Sequence, residues 1–165
     1  MGMEVLAKQD KIPSWDTNAI AVKHIEYYPY GDTYEEDQIT PEIIAKILEE
    51  IPQGINLYLF LDPYGECDFM EVLSDGEWLS LGCSFDRDGE FENYYTYNAA
   101  YADTAEQIEQ FQYSDKTVWT PLESGGQSPV PKMEAITDIE AGRKAVEYFI
   151  HTGKLYPGID WARQL

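Results

Sequence analysis

Residues 55–98 read INLYLFLDPYGECDFMEVLSDGEWLSLGCSFDRDGEFENYYTYN, and the alternation within them decides the fold. INLYLFLD (55–62), CDFMEVLS (67–74), EWLSLGCSF (77–85) and FENYYTYN (91–98) are short runs rich in aromatic and aliphatic residues. PYGE, DGE and DRDGE separate them, and each is turn chemistry. Short apolar runs joined by tight turns predict an antiparallel meander of four strands. In the last of them Tyr95 and Tyr97 fall on one face and Tyr94 on the other.

A sheet with an apolar face needs a cover, and the flanking sequence offers two helices. TPEIIAKILEEIP (40–52) has Thr40 to cap, Pro41 at the first helical position and Pro52 at the end. Its Ile43, Ile44, Ile47, Leu48 and Ile51 recur at helical spacing. TDIEAGRKAVEYFIHTG (137–153) carries a Thr137–Glu140 capping box, a stripe of Ala141, Ala145, Val146, Phe149 and Ile150, and Gly153 as a stop. AIAVKHIEYYPY (19–30) reads as a further strand, followed by an acidic loop. LYPGIDW (155–161) reads as a short extended return ending in Trp161. Residues 102–110 fit a short helix or an irregular link, FQYSDKTVWTP (111–121) a strand or a loop-strand pair, and SGGQSPVP (124–131) a loop. Residues 1–18 are expected to be a loosely attached lead-in. The expectation is one α+β domain over 1–165, with a mostly antiparallel sheet of about five or six strands and two main helices packed on it.

Charge is the strongest compositional feature: 31 acids against 11 bases give a formal −20. Such a surface repels nucleic acid and anionic membranes, so neither is an expected partner, and it speeds encounter with basic proteins. The acidity is uneven. Residues 26–50 hold eight acids and Lys46, residues 86–115 hold eight acids and Arg87, and residues 132–165 hold five of each sign. A general solubility bias would colour the last third as well. Nine of the thirteen tyrosines lie in 27–34 or 94–113, next to the acids. Tyrosine suits partner contact because it buries a large area with few rotors. Strand tyrosines such as Tyr95, Tyr97 and Tyr101 are equally explained as β-formers half in the core. The candidate partner-binding residues are therefore Tyr28, Tyr30, Asp32, Tyr34, Glu35, Glu36 and Asp37 in the first region and Asp86, Asp88, Glu90 and Glu92 in the second.

Catalytic signatures are sparse. His24 and His151 are the two histidines, one in a predicted strand and one at a helix C-terminus where a cationic ring suits the dipole. The sequence contains no GxSxG, HExxH, P-loop or dinucleotide glycine pattern. DRDGEFE (86–92) spaces carboxylates loosely for calcium, but it is equally a hairpin turn. Cys67 and Cys83 fall in predicted strands without metal spacing. No catalytic residue, cofactor or metal is assigned. The start MGMEVLAKQDKIPSWD has no signal-peptide pattern and fails the myristoylation pattern at Leu6, so a cytoplasmic protein is expected. Strand edges leave self-association open.

In residues 124–161, Pro129 and Pro131 precede a helix with Ala141 and Ala145. Phe149, Thr152 and Gly153 end it, and Pro157 and Trp161 follow. This arrangement resembles the first-numbered immunity-protein family of bacterial polymorphic toxin systems. The resemblance is specific over these 38 residues, rests on order and size in the strand-rich middle, and is absent in the first 18. It implies a small α+β cytoplasmic protein that neutralises a cognate toxin without being an enzyme. Members are often encoded beside toxins of the deaminase fold. The motif residues themselves look like scaffold. On this reading the acidic, tyrosine-bearing residues would cover the toxin's basic substrate surface. Two readings stand beside it: a small-molecule enzyme with an acidic cleft, and a generic acidic interaction module.

Overall fold

The computed structural model describes residues 2–29 and 31–165. Ten strands and three α-helices follow in chain order: β1 (Met3–Leu6), β2 (His24–Tyr27), β3 (Thr33–Glu35), α1 (Pro41–Glu50), β4 (Ile55–Phe60), β5 (Phe69–Ser74), β6 (Leu79–Arg87), β7 (Glu90–Thr96), α2 (Ala105–Glu109), β8 (Trp119–Ser124), β9 (Ser128–Pro131), α3 (Ile139–Thr152) and β10 (Trp161–Gln164). Eight strands form one sheet in the order β1-β10-β7-β6-β5-β4-β2-β3, and every neighbouring pair is antiparallel. The expected meander is its centre, β4 to β7. β8 and β9 pair separately as a hairpin.

One face of the sheet carries Leu57, Leu59, Met70, Val72, Leu81 and Cys83, all nearly solvent-free. The helices cover that face. α1 buries Ile44, Ile47 and Leu48, and α3 buries Ala145, Val146, Phe149 and Ile150 in the same core. Thr40 Oγ1 accepts from the Ile43 amide at 3.4 Å, which caps α1 as expected. At the other end of α1, Arg143 of α3 donates its Nε to the Leu48 carbonyl at 2.9 Å, so a cation satisfies one of the last-turn acceptors. α3 is capped by Asp138, which accepts from Ala141 at 3.1 Å, in place of the expected Thr137–Glu140 box. Gly153 closes α3 at φ 72°, a left-handed turn that glycine adopts without steric cost.

The opposite face is less covered. The β8–β9 hairpin lies over its centre, where Leu122 and Val130 pack with Leu73 and Trp78. A carboxylate ties the hairpin down. Glu71, in the middle of β5 and 8% exposed, accepts from Tyr58 OH at 2.9 Å, Ser124 Oγ at 2.7 Å and the Gly125 amide at 3.1 Å. Three donors satisfy the oxygens of this buried side chain.

Several expectations are corrected. The main sheet has eight strands where five or six were expected, and α2 adds a third, short helix. The described part of the lead-in, residues 2–18, is attached: β1 pairs with β10 as an edge strand, Gln9 donates to the Pro157 carbonyl at 2.8 Å, and the Trp15 and Tyr148 ring centroids lie 5.3 Å apart. The strand expected over 19–30 is regular at His24–Tyr27, because the amides of Ala21 and Val22 turn instead to the Ile150 carbonyl of α3. The acidic stretch is no simple loop, since Thr33–Glu35 returns as β3. SGGQSPVP turns at its glycines and then forms β9. β10 begins at Trp161, where the extended return was expected to end. Cys67 sits in the β4–β5 loop and not in a strand. Among the described residues, no helix is long and apolar enough to cross a membrane.

Truncation should rank these elements by burial. Phe149→Ala, at a fully buried ring, is expected to cost about 3–5 kcal/mol in urea unfolding. Thr40→Ala, which removes one cap bond, is expected to cost about 1 kcal/mol. Equal losses would mean that α3 is not the main cover of the sheet.

Candidate functional site

Antiparallel register fixes which loops share an end of the sheet. Glu35 at the end of β3 lies opposite His24 at the start of β2, and His24 lies opposite Phe60 at the end of β4. Phe60 pairs with Phe69 at the start of β5, Phe69 with Ser84 of β6, and β6 then runs out to the hairpin at Arg87–Glu90. The turn after β3, the β4–β5 loop and the β6–β7 hairpin therefore stand side by side. Residues 35–37, 62–68 and 86–92 bring three, three and four acids, ten in all, against the single base Arg87. From β3 to β7 is five strand steps, about 24 Å at the usual spacing. The two acidic regions of the sequence thus occupy one rim, joined by a third.

Direct contacts link the three segments. His24, 6% exposed, places Nδ1 3.2 Å from Glu35 and Nε2 2.9 Å from Glu26. Gly65 of the β4–β5 loop sits against the same imidazole, so closely that a Cβ there would meet His24 Cδ2 at 2.6 Å. Farther along that loop, Asp68 Oδ1 accepts from the Asp86 amide at 2.8 Å, and Asp86 accepts from Gly89 at 2.7 Å to close the hairpin turn. Asp62 holds its own loop by accepting from the Tyr64 and Glu66 amides. Asp68 and Asp88 both take left-handed backbone, at φ 54° and 56°, a conformation Asp tolerates in turns.

The chain offsets part of this charge. Lys23 reaches Glu36 at 3.2 Å, while Arg87 and Arg163 converge on Glu92 at 3.3 and 3.1 Å. Burial opposes a positive His24, but hydrogen bonds and attraction from Glu26 and Glu35 outweigh it and raise the imidazole above its ordinary value of 6.5. Asp37, Glu66, Asp88 and Glu90 remain exposed.

The other named residues are distributed differently. Asp32 and Tyr28 sit at the far end of the β2–β3 hairpin, away from the acidic rim. Tyr28 is 37% exposed and edge-on to Tyr58 at 6.5 Å. Tyr34 projects to the helix side and is half-buried: its ring lies edge-on to Tyr27 at 6.4 Å, with Lys46 of α1 donating to its hydroxyl at 3.3 Å. Tyr30 lies outside the described residues. The stretch 26–37 is therefore split between two ends of the sheet, and Glu35, Glu36 and Asp37 alone of its named residues share a rim with Asp86, Asp88, Glu90 and Glu92. The motif residues of the C-terminal third are structural, with Phe149 and Trp161 buried and Trp161 Nε1 donating to the Tyr156 carbonyl at 2.8 Å.

Sequence reasoning missed the bridging loop. Asp62, Glu66 and Asp68 flank Tyr64, which is 80% exposed, the largest exposure among the large apolar and aromatic side chains described. The signal was available: strands of matched length place PYGE and DRDGE at the same end of a meander. A rim of clustered carboxylates around an exposed ring can attract a cationic protein surface and anchor it.

The pH dependence of stability should report the His24 cluster. With its folded pKa raised, His24 stabilises fully below its unfolded value, and the gain is lost as pH rises through the higher folded value. The stability difference between wild type and His24→Gln, measured by urea unfolding, is therefore expected to be larger at pH 6 than at pH 9. A difference that does not change with pH would mean that Glu26 and Glu35 do not hold a proton on His24.

No family model, curated protein or solved structure matches this chain.

Proposed function

We propose that this protein is a non-enzymatic immunity protein that neutralises a cognate bacterial toxin by laying the acidic rim over the toxin's basic substrate surface. The observation that carries the proposal is the junction of three acidic segments through His24, Gly65, Asp68 and Asp86. It turns two stretches far apart in sequence into one electrostatic feature. The resemblance of residues 124–161 to the immunity family supports the same reading, and it favours a deaminase-fold toxin acting on nucleic acid. Such a toxin needs cations to hold phosphates, and those cations are what a carboxylate rim would compete for.

Each part of the rim has a role in this reading. Asp37, Glu66, Asp88 and Glu90, exposed and fixed on short turns, supply the long-range field. Steering of this kind raises association rates to roughly 10⁸–10⁹ M⁻¹s⁻¹ at low salt. Tyr64 supplies area that excludes water once contact is made. Asp62, Asp68 and Asp86, whose carboxylates already accept backbone amides, hold the geometry.

The test uses the C-terminal domain of the protein whose gene adjoins this one, which this reading expects to be the toxin. A one-to-one complex that survives high salt and silences the toxin is expected. Reversing Glu35, Glu36 and Asp37 together to Lys is expected to slow association at least about tenfold at low salt, with a smaller change in dissociation. Tyr64→Ala is expected to act the other way, mainly on dissociation. A complex lost at moderate salt, with equal binding to unrelated basic proteins, would return the generic acidic module.

A further inference from the structure

The two edges of the main sheet differ. At one edge β3 is three residues long, and the acids Asp32, Glu35, Glu36 and Asp37 flank it or lie within it with no base among them. Such charges repel a second strand of the same kind, one of the usual ways a fold protects an edge. β1, at the other edge, has no such device. Met3, Glu4, Val5 and Leu6 are all exposed, and among the described residues no strand pairs on its outer side. An open edge bearing Met, Val and Leu is a template for a further strand.

The hydrogen-bond alternation of β1 is fixed from its inner side. The Leu165 amide donates to the Gly2 carbonyl at 3.0 Å, so Gly2, Glu4 and Leu6 form the bonded set with β10. The amides and carbonyls of Met3 and Val5 therefore point away from the sheet. Charge at this corner is also unlike that of the chain. Residues 2–11 and 161–165 hold two acids and three bases, whereas the whole chain carries a formal −20. Two copies of this protein repel one another through most of their surface, but here they can meet with little local repulsion.

We propose that β1 pairs antiparallel with β1 of a second copy, Val5 opposite Val5, joining two eight-stranded sheets into one. Outward-pointing groups must face one another, which limits the register. Met3 opposite Val5 would set Glu4 against Glu4, and like charges directly opposite are unfavourable. Met3 opposite Met3 would carry Leu6 past the end of the other strand. Val5 opposite Val5 sets Glu4 opposite Leu6 and diagonal to Lys8 of the other copy, an opposite charge within reach of long side chains. It also prolongs the row Val5–Ala162–Tyr95 across the sheet by a second Val5. The two-fold axis stands normal to the sheet, so both helix layers stay on one side and the two acidic rims leave from opposite ends. The proposal goes beyond the immunity reading and does not depend on it.

Sedimentation equilibrium of the full chain, kept reduced and taken to about 1 mM, tests the proposal. A reversible dimer is expected, weak as a small interface should be, with Kd on the order of 100 μM. Kd is expected to fall as salt rises to about 0.5 M, because the contact is near neutral and the long-range repulsion is screened. Val5→Pro removes one outward amide and leaves the inner ladder intact, and Val5→Lys sets a charge against its own copy. Each is expected to raise Kd at least about tenfold with the urea midpoint unchanged. In a Cys67→Ser background, Val5→Cys is expected to form an intermolecular disulfide on oxidation, since bonded pairs hold their Cα atoms about 5.5 Å apart. Met3→Cys is expected not to do so. A dimer that salt dissolves, one that neither Val5 variant weakens, or crosslinking at Met3 and not at Val5 would overturn the proposal. A chain still monomeric at about 1 mM would also overturn it, and would leave the edge to a strand of another protein.

Discussion

The antiparallel register of β2 through β7 is the constraint on which everything else depends. Each strand reverses direction, so alternate connections emerge at the same end, and the length of each strand sets how far its loop projects. Because Glu35, His24, Phe60, Phe69 and Ser84 are successive partners across the sheet, three acidic segments reach one rim. A one-residue slip would turn Leu57, Leu59, Val72 and Leu81 away from the helices, so the core specifies the register strongly. The hydrophobic core thereby also arranges the charge. What looks like a surface property follows from the burial of α1 and α3 on the other side of the backbone.

Ten carboxylates on one rim repel one another, and the structure shows how that cost is limited. Several serve as acceptors for backbone amides, as Asp62, Asp68 and Asp86 do, exchanging water for a fixed donor. Glu92 stands between two guanidiniums, and Glu35 shares His24 with Glu26. The rest remain in water, where a pair a few ångströms apart costs on the order of 1 kcal/mol and salt weakens it further. A rim assembled this way is stable enough to persist and still carries a field for a partner to feel.

The sequence was most legible where local and tertiary preferences agree. The four strands of the meander, α1 with its Thr40 cap and α3 with its Gly153 stop could be read because periodicity, turns and caps all pointed one way. Misreadings fall on elements three or four residues long, whose existence is decided by a neighbour. β1 is exposed along its whole length and exists because β10 offers a ladder. β9 contains Pro129 and Pro131, which argue against a strand, yet it belongs to a two-stranded hairpin where one edge needs no partner. Asp138 took the cap from Thr137 by one residue, a margin that propensity does not resolve. At the site, the composition of 26–37 and 86–92 was visible, but their meeting was not. That meeting runs through Gly65 and Asp68 in a loop that reads as an ordinary turn, and Tyr34 was drawn inward by Lys46 of a helix that follows it.

Two acids on the less covered face, Glu71 buried and Glu134 half-buried, are held in different ways. Glu71 lies under the β8–β9 hairpin and receives three donors, one each from β4, the hairpin side chain and the hairpin backbone. It works as a staple between the sheet and the hairpin. Glu134 sits near the edge of the same face with its main chain equally well fixed, but nothing described in the protein is aimed at its carboxyl. The difference is not one of available chemistry, since Ser80, Thr96 and Asn98 all lie close and all donate to backbone carbonyls of 134–135 instead.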